Sequence, residues 1–211
     1  NGSMQVNGEL STDPEALENE VIFESDRLET AFSEIPGQWS TIWLTAGSTN
    51  HSFNYTTIKN ASVGLLMDSN DGGEDPTLTI RNSQIYNSSN IGLLSRTGNI
   101  YGENLVISNA GQSSLLLELG GTYEFNHCTF ANYWSRSFRQ SPAVLLSNTF
   151  NNEIADDLVQ ADFTNCIIFG RNDVEFGFIQ AEEAAFNFNF KNCLLKALDT
   201  GNNLGDNPLY D

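Results

Sequence analysis

The chain has 211 residues, 39% of them hydrophobic, enough for one domain with a sizeable core. Its 27 acidic and nine basic side chains give a formal net charge of −18. This excludes a basic surface able to displace phosphate counterions, and with it nucleic-acid binding. Polyanionic polysaccharides meet the same repulsion unless a cation intervenes, and no run of 18 apolar residues is present to span a membrane.

Residues 1–20 read as a lead-in. Asn1-Gly2-Ser3-Met4 suits a vector scar or the start of a fragment. Asp13 and Pro14 suit the cap and first position of a short turn or helix running to Glu20. A strand, Val21-Ile22-Phe23, follows. Ile35-Pro36-Gly37-Gln38-Trp39 then leads into Ile42-Trp43-Leu44, an early aromatic coil in which Trp39 and Trp43 are assigned to the core by alternation with apolar neighbours.

From Phe53 onward six segments share one eight-residue register: Phe53–Asn60, Ile80–Asn87, Gly102–Asn109, Phe125–Asn132, Phe163–Gly170 and Phe190–Ala197, with starts 27, 22, 23, 38 and 27 residues apart. The template reads apolar, any, Asn, small or Cys, any, Ile/Phe/Leu, any, Asn/Gly. Alternation breaks at the Asn positions, which mark corners, because Asn enters the left-handed region a sharp bend needs. The first corner is expected at Asn82, Asn104, Asn165 and Asn192, with His127 in the same place. The second is expected at Asn60, Asn87, Asn109 and Asn132, and at Gly170. Stacked Asn side chains are expected to hydrogen-bond from coil to coil.

A third strand follows each pair, as Gly64-Leu65-Leu66, Gly92-Leu93-Leu94, Ser114-Leu115-Leu116 and Val144-Leu145-Leu146. A repeat this short cannot bury its apolar side alone, so copies must stack. Three short strands per coil, returning every 22–27 residues, predict an all-β solenoid: a right-handed parallel β-helix rising about 4.8 Å per coil. Leucine-rich repeats would need helices, a β-sandwich would not place Asn corners in register, and an ice-binding face would need a recurring Thr-x-Thr row. The whole chain, 1–211, is taken as one domain, with residues 136–160 as an insertion in one coil and residues 200–211, including Asn207-Pro208-Leu209-Tyr210, as a C-terminal cap over the sheet edge.

Cys128, Cys166 and Cys193 fall at one repeat position in successive copies. Their odd number argues against a disulfide framework, and a stack of small core residues is the leading expectation. A disulfide between two stacked rungs and a metal site are the alternatives.

Several of these segments resemble envelope β-helix proteins of Bacteroidota, often lipoproteins. The match covers Phe23–Glu29, Ile35–Trp39, Ile42-Trp43-Leu44 with Gly47-Ser48, Ile58–Ala61, Phe130–Trp134 and the terminal Asn-Pro-Leu-Tyr, across most of residues 21–211. The resemblance implies a β-helix, export and attachment at the outer-membrane surface. It brings no catalytic residues, and the chain as given lacks the lipidated Cys.

Candidate chemistry concentrates in departures from the period. Tyr133, Trp134, Arg136, Phe138 and Arg139 gather aromatic and basic side chains on an otherwise acidic chain and are the ligand-binding candidates. Asp156 and Asp157 are the adjacent acidic pair a glycoside hydrolase would use. Arg81 or Arg96 would be the base of a polysaccharide lyase, although the polygalacturonase signatures Asn-Thr-Asp, Gly-His-Gly and Arg-Ile-Lys are absent. Asp68, Asp71, Glu74 and Asp75 form an acidic loop with oxygen donors for Ca²⁺, without EF-hand spacing. Asn172–Glu183 is a further acidic excursion. His51 and His127 lack a nucleophile arrangement and are assigned structural roles. The expectation is a non-catalytic extracellular β-helix binding a polysaccharide or an outer-membrane partner protein, with no obligatory cofactor. A carbohydrate-active enzyme and a structural spacer of a larger envelope protein are the alternatives.

Overall fold

The structure, a computed structural model, describes residues 2–10, 19–68 and 70–197. The proposed cap at Asp13 and Pro14 and the proposed C-terminal cap lie outside the described residues. Among the described residues there are strands and no helix, so no helix is long and apolar enough to cross a membrane.

The chain makes repeated passes through three strand positions. The first pass holds β1 (Gln5–Asn7), β2 (Val21–Phe23) and β3 (Ile42–Leu44); the second holds β4 (His51–Asn54), β5 (Thr56–Lys59) and β6 (Val63–Asp68). In the next two, one long strand covers the first two positions: β7 (Leu78–Tyr86) with β8 (Ile91–Arg96), then β9 (Asn99–Ser108) with β10 (Leu115–Glu118). The fifth pass has β11 (Gly121–Asn126), β12 (Thr129–Asn132) and β13 (Val144–Ser147), followed by a small hairpin of β14 (Thr149–Phe150) and β15 (Ile154–Ala155). The sixth has β16 (Leu158–Thr164), β17 (Ile167–Gly170) and β18 (Phe176–Ile179), and the last β19 (Asn189–Lys191) and β20 (Leu194–Leu195).

Apart from the antiparallel hairpin β14–β15, the paired strands are parallel. A twelve-stranded sheet carries two runs, β1-β4-β7-β9-β11-β16-β19 and β2-β5-β7-β9-β12-β17-β20, joined through β7 and β9. A separate six-stranded sheet runs β18-β13-β10-β8-β6-β3.

The template governs the pairing. Its first positions pair in register, Phe53 with Ile80, Ile80 with Gly102, Gly102 with Phe125, Phe125 with Phe163 and Phe163 with Phe190. These columns face the core, where the rings of Phe125, Phe163 and Phe190 stack at 5.3 and 5.0 Å. Gly102 breaks this column because the ring of Phe125 occupies the space its side chain would need. The corners follow the Asn reading closely: φ is positive at Asn82, Asn104, His127, Asn165 and Asn192, and at Asn60, Asn87 and Asn109. The amides form ladders, Asn104 to Asn82 to Asn54 at 2.9 Å each, and Asn87 to Asn60 at 2.6 Å.

Several expectations are corrected. Asn132 and Gly170 do not take positive φ. The Asn132 side chain is instead buried, donating to the carbonyls of Ala110 and Gln112 at 2.9 and 3.2 Å, while Gly170 is glycine for space, since a Cβ there would collide with the Glu175 carboxylate. Residues 1–20 are more than a lead-in, because Gln5–Asn7 pairs with Ser52–Asn54. The third strand expected at Val144-Leu145-Leu146 is present as β13, but its register is shifted by one: Val144 pairs with Leu115 rather than Ser114. The small-residue column is therefore Gly64, Gly92, Ser114 and Ala143, where a Cβ on either glycine would strike the next pass's backbone.

Trp43 is not core. It is 58% exposed and heads an apolar row through half-buried Leu66, buried Leu94, and half-buried Leu116 and Leu145, its indole Nε1 donating to Asp68 Oδ2 at 2.7 Å. Trp39 does pack against the core, donating to the Lys59 carbonyl.

Candidate functional site

A cleft of about 850 Å³ opens where the chain leaves β12 and again where it leaves β17. Its geometry begins at Asn132, whose Oδ1 accepts from the Trp134 N–H at 3.2 Å and turns that residue inward. The indole is 7% exposed, packs across Gly111 and donates to Ser137 Oγ at 2.8 Å.

Behind it lies a buried ion pair. Arg139 and Glu175 side chains are 2% and 0% exposed, and the guanidinium meets the carboxylate through two bonds, Nη2 to Oε1 at 2.5 Å and Nη1 to Oε2 at 2.9 Å. Arg139 Nη2 also donates to the Asn132 carbonyl at 2.9 Å. Glu175 accepts the Ala143 and Asn172 N–H groups, both at 2.8 Å. The pair thus ties the segment after β12 to the segment before β18, and its charges cancel internally. The bidentate geometry and the satisfied carboxylate lone pairs favour burial of the pair, while the buried Arg139 Nε has no partner among the described residues.

The rim is different in character. Phe138 is 86% exposed, and Arg171, Asp173 and Val174 line the opposite side. Arg171 makes no ion pair among the described residues. With Arg139 cancelled by Glu175, the rim leaves one cation and one anion, a near-neutral cleft on a chain of net charge −18.

The structure therefore brings together Trp134, Phe138 and Arg139 of the five sequence candidates. Arg139 and Trp134 form the floor rather than a displayed surface. Tyr133 is 54% exposed but does not line the cleft, and Arg136 reaches instead to the Glu34 carbonyl. Sequence reasoning missed Arg171 and Glu175. Glu175 stands beside Ala143 at the end of the small-residue column, a position whose register becomes visible only once β13 and β18 are paired.

The other candidates have other partners. Asp156 Oδ1 accepts the Asp157 N–H, and Asp157 Oδ1 accepts the Ala185 N–H of the next pass at 2.7 Å. Asp68 faces Trp43 and Arg96, whereas Asp71 accepts from Thr49, Gly73 and Thr77. The bond from Thr49 and then that from Gly73 hold the Asp71 carboxyl below its ordinary value. Glu74 and Asp75 are exposed, and among the described residues no three His, Cys, Asp or Glu side chains converge as metal ligands. Arg81 pairs with Glu103 at 3.0 Å, and Arg96 pairs with Glu118 at 2.8 Å and Asp68 at 3.4 Å.

The three cysteines are free and stacked, with the Cys128 N–H on Cys166 Sγ and the Cys166 N–H on Cys193 Sγ, both at 3.4 Å. Its bond to Cys166 and its burial push the Cys128 thiol up. His51 is buried, its Nδ1 accepting the Met4 N–H at 3.0 Å, and burial lowers its pKa.

No protein-family model, no curated protein and no solved structure matches this chain.

Proposed function

We propose that the chain is a right-handed parallel β-helix that binds a glycan without cleaving it, at a bacterial cell surface. The β-helix rests on the strand order: successive passes pair in parallel in both runs and in the six-stranded sheet, and parallel crossovers are right-handed almost always. Surface location rests on the resemblance of segments such as Phe130–Trp134 to Bacteroidota envelope proteins.

One observation carries the binding function. Phe138 stands 86% exposed at the mouth of a cleft whose floor is fixed by the buried Arg139–Glu175 pair. An exposed ring offers a flat apolar face to the C–H face of a sugar, and a rigid floor avoids an ordering cost on binding. Arg171 and the hydroxyls of Ser135 and Ser137 supply polar contacts at the same cleft. Near-neutrality favours an uncharged glycan. Binding is favoured over hydrolysis because neither Asp156 nor Asp157 lines the cleft.

The test is native electrophoresis in gels containing one polysaccharide each. Phe138→Ala and Arg171→Ala should weaken the retardation shown by the unmodified protein while leaving its thermal midpoint in place. Unaltered retardation of both variants removes the cleft from consideration. Unchanged mobility of the parent protein in all gels moves the function to a partner protein, for which exposed Trp43 and half-buried Leu66, Leu116 and Leu145 on the outer face of the six-stranded sheet are the candidate contacts.

A further inference from the structure

We infer that a second groove, around Tyr55 on the outer face of the first run of strands, takes a neutral sugar chain. The groove holds about 330 Å³ and crosses the first three passes, with Ser52, Asn54, Tyr55, Thr79, Arg81 and Asn82 among its walls. That volume lies at the small end of the ~300–1,000 Å³ span of ligand pockets.

Tyr55 is the anomaly that marks it. Register places Tyr55 in one column with Asn82, Asn104, His127, Asn165 and Asn192, the first corner of every later pass. All six take positive φ, and Tyr55 does so at 48°. Asn and His enter that region readily, whereas a bulky aromatic there is an outlier, of the kind that clusters at ligand clamps. Among the described residues the Tyr55 hydroxyl has no hydrogen-bond partner. The amide ladder is displaced to accommodate Tyr55: Asn82 donates to Asn54, one residue before the corner.

The groove's chemistry points to an uncharged polyol. Ser52 and Thr79 are register neighbours whose hydroxyls have no partner among the described residues, and Asn54 Nδ2 is likewise unengaged. With the Tyr55 hydroxyl these make four hydrogen-bonding groups beside one aromatic ring. The charged side chain in the wall, Arg81, is neutralised by Glu103 at 3.0 Å, and its guanidinium lies over the Tyr101 ring at 4.8 Å. An anion would find no uncompensated charge here; a sugar finds donors, acceptors and a ring. The groove draws on residues separate from the Phe138 cleft, so each stands without the other.

The experiment is an NMR titration of the isotope-labelled full chain with neutral tetrasaccharides (cellotetraose, maltotetraose, mannotetraose, xylotetraose), with a galacturonate oligosaccharide as the acidic comparison. The side-chain amide signals of Asn54 and Asn82 should shift saturably with a neutral sugar and not with the galacturonate. Tyr55→Asn should weaken that binding by about tenfold or more while its thermal midpoint equals or exceeds the parent's, because Asn is what the other corners carry. Phe138→Ala should leave the Asn54 and Asn82 shifts unchanged. The inference is overturned if no neutral sugar moves these amides, if Tyr55→Asn binds as tightly as the parent, or if Phe138→Ala abolishes the shifts.

Discussion

The buried Arg139–Glu175 pair makes the sharpest stability prediction. Replacing Arg139 with Leu leaves the Glu175 carboxylate fully buried and supported by the Ala143 and Asn172 N–H groups, with its two guanidinium bonds lost. Breaking a buried pair by removing one partner costs about 3–5 kcal/mol, since the remaining charge is uncompensated. For a chain of this length each kcal/mol moves the thermal midpoint by about 2–4 °C, so Arg139→Leu should lower it by about 6–20 °C. The double variant Arg139→Leu/Glu175→Gln removes both charges and should recover most of that loss. Thermal unfolding followed by circular dichroism, with urea titration for the free energies, reads both. A loss below about 1 kcal/mol for Arg139→Leu would refute the strut assignment. Loss of glycan binding without loss of stability would return Arg139 to the role of a ligand-contacting residue.

Three further outcomes are expected. Tyr55→Asn relieves a left-handed aromatic and should raise stability by about 1 kcal/mol in urea titration; a destabilised variant would show that the ring itself supports the fold. Tyr123 is fully buried, its hydroxyl bonded to Ser95, the Gly98 N–H and the Gly120 carbonyl, and burial raises its pKa to about 12. Tyr123→Phe orphans those partners and should cost about 1–3 kcal/mol, a value under about 0.5 refuting the network. His51 has a folded pKa below its ordinary 6.5, so the unfolded chain takes up the proton first. Its contribution is complete above about pH 6.5 and is lost as the pH falls through 6.5 toward the folded value. The stability advantage of the parent over His51→Gln should therefore shrink between pH 7.5 and 5, and an advantage that grows on acidification would contradict the assignment.

Much of the fold was legible because it repeats. The columns from Phe53 to Phe190 and from Ile58 to Leu195 follow directly from the eight-residue template, and the left-handed corners from its Asn positions. Single exceptions to the template were harder. Trp43 alternates with apolar neighbours as a core residue would, but the outer face of the six-stranded sheet is apolar too, so alternation lost its power to tell inside from outside. Gln5–Asn7 is too short to show a period. The cleft was half legible: the aromatic and basic cluster after Asn132 was visible, but which members point inward depends on Glu175, some 36 residues after Arg139 and brought close only by pairing of β13 with β18. A carboxylate beside a column of small residues carries no local sequence signal.

The central claim, glycan binding without cleavage, is tested most directly by electrophoresis of the unmodified chain in native gels that each contain one neutral or acidic polysaccharide, with the gel strips assayed afterwards for new reducing ends and for the unsaturated ends a lyase would leave. Retardation in at least one neutral polysaccharide with no new ends of either kind is the predicted result. Unchanged mobility in every gel, or retardation accompanied by new ends, would contradict it.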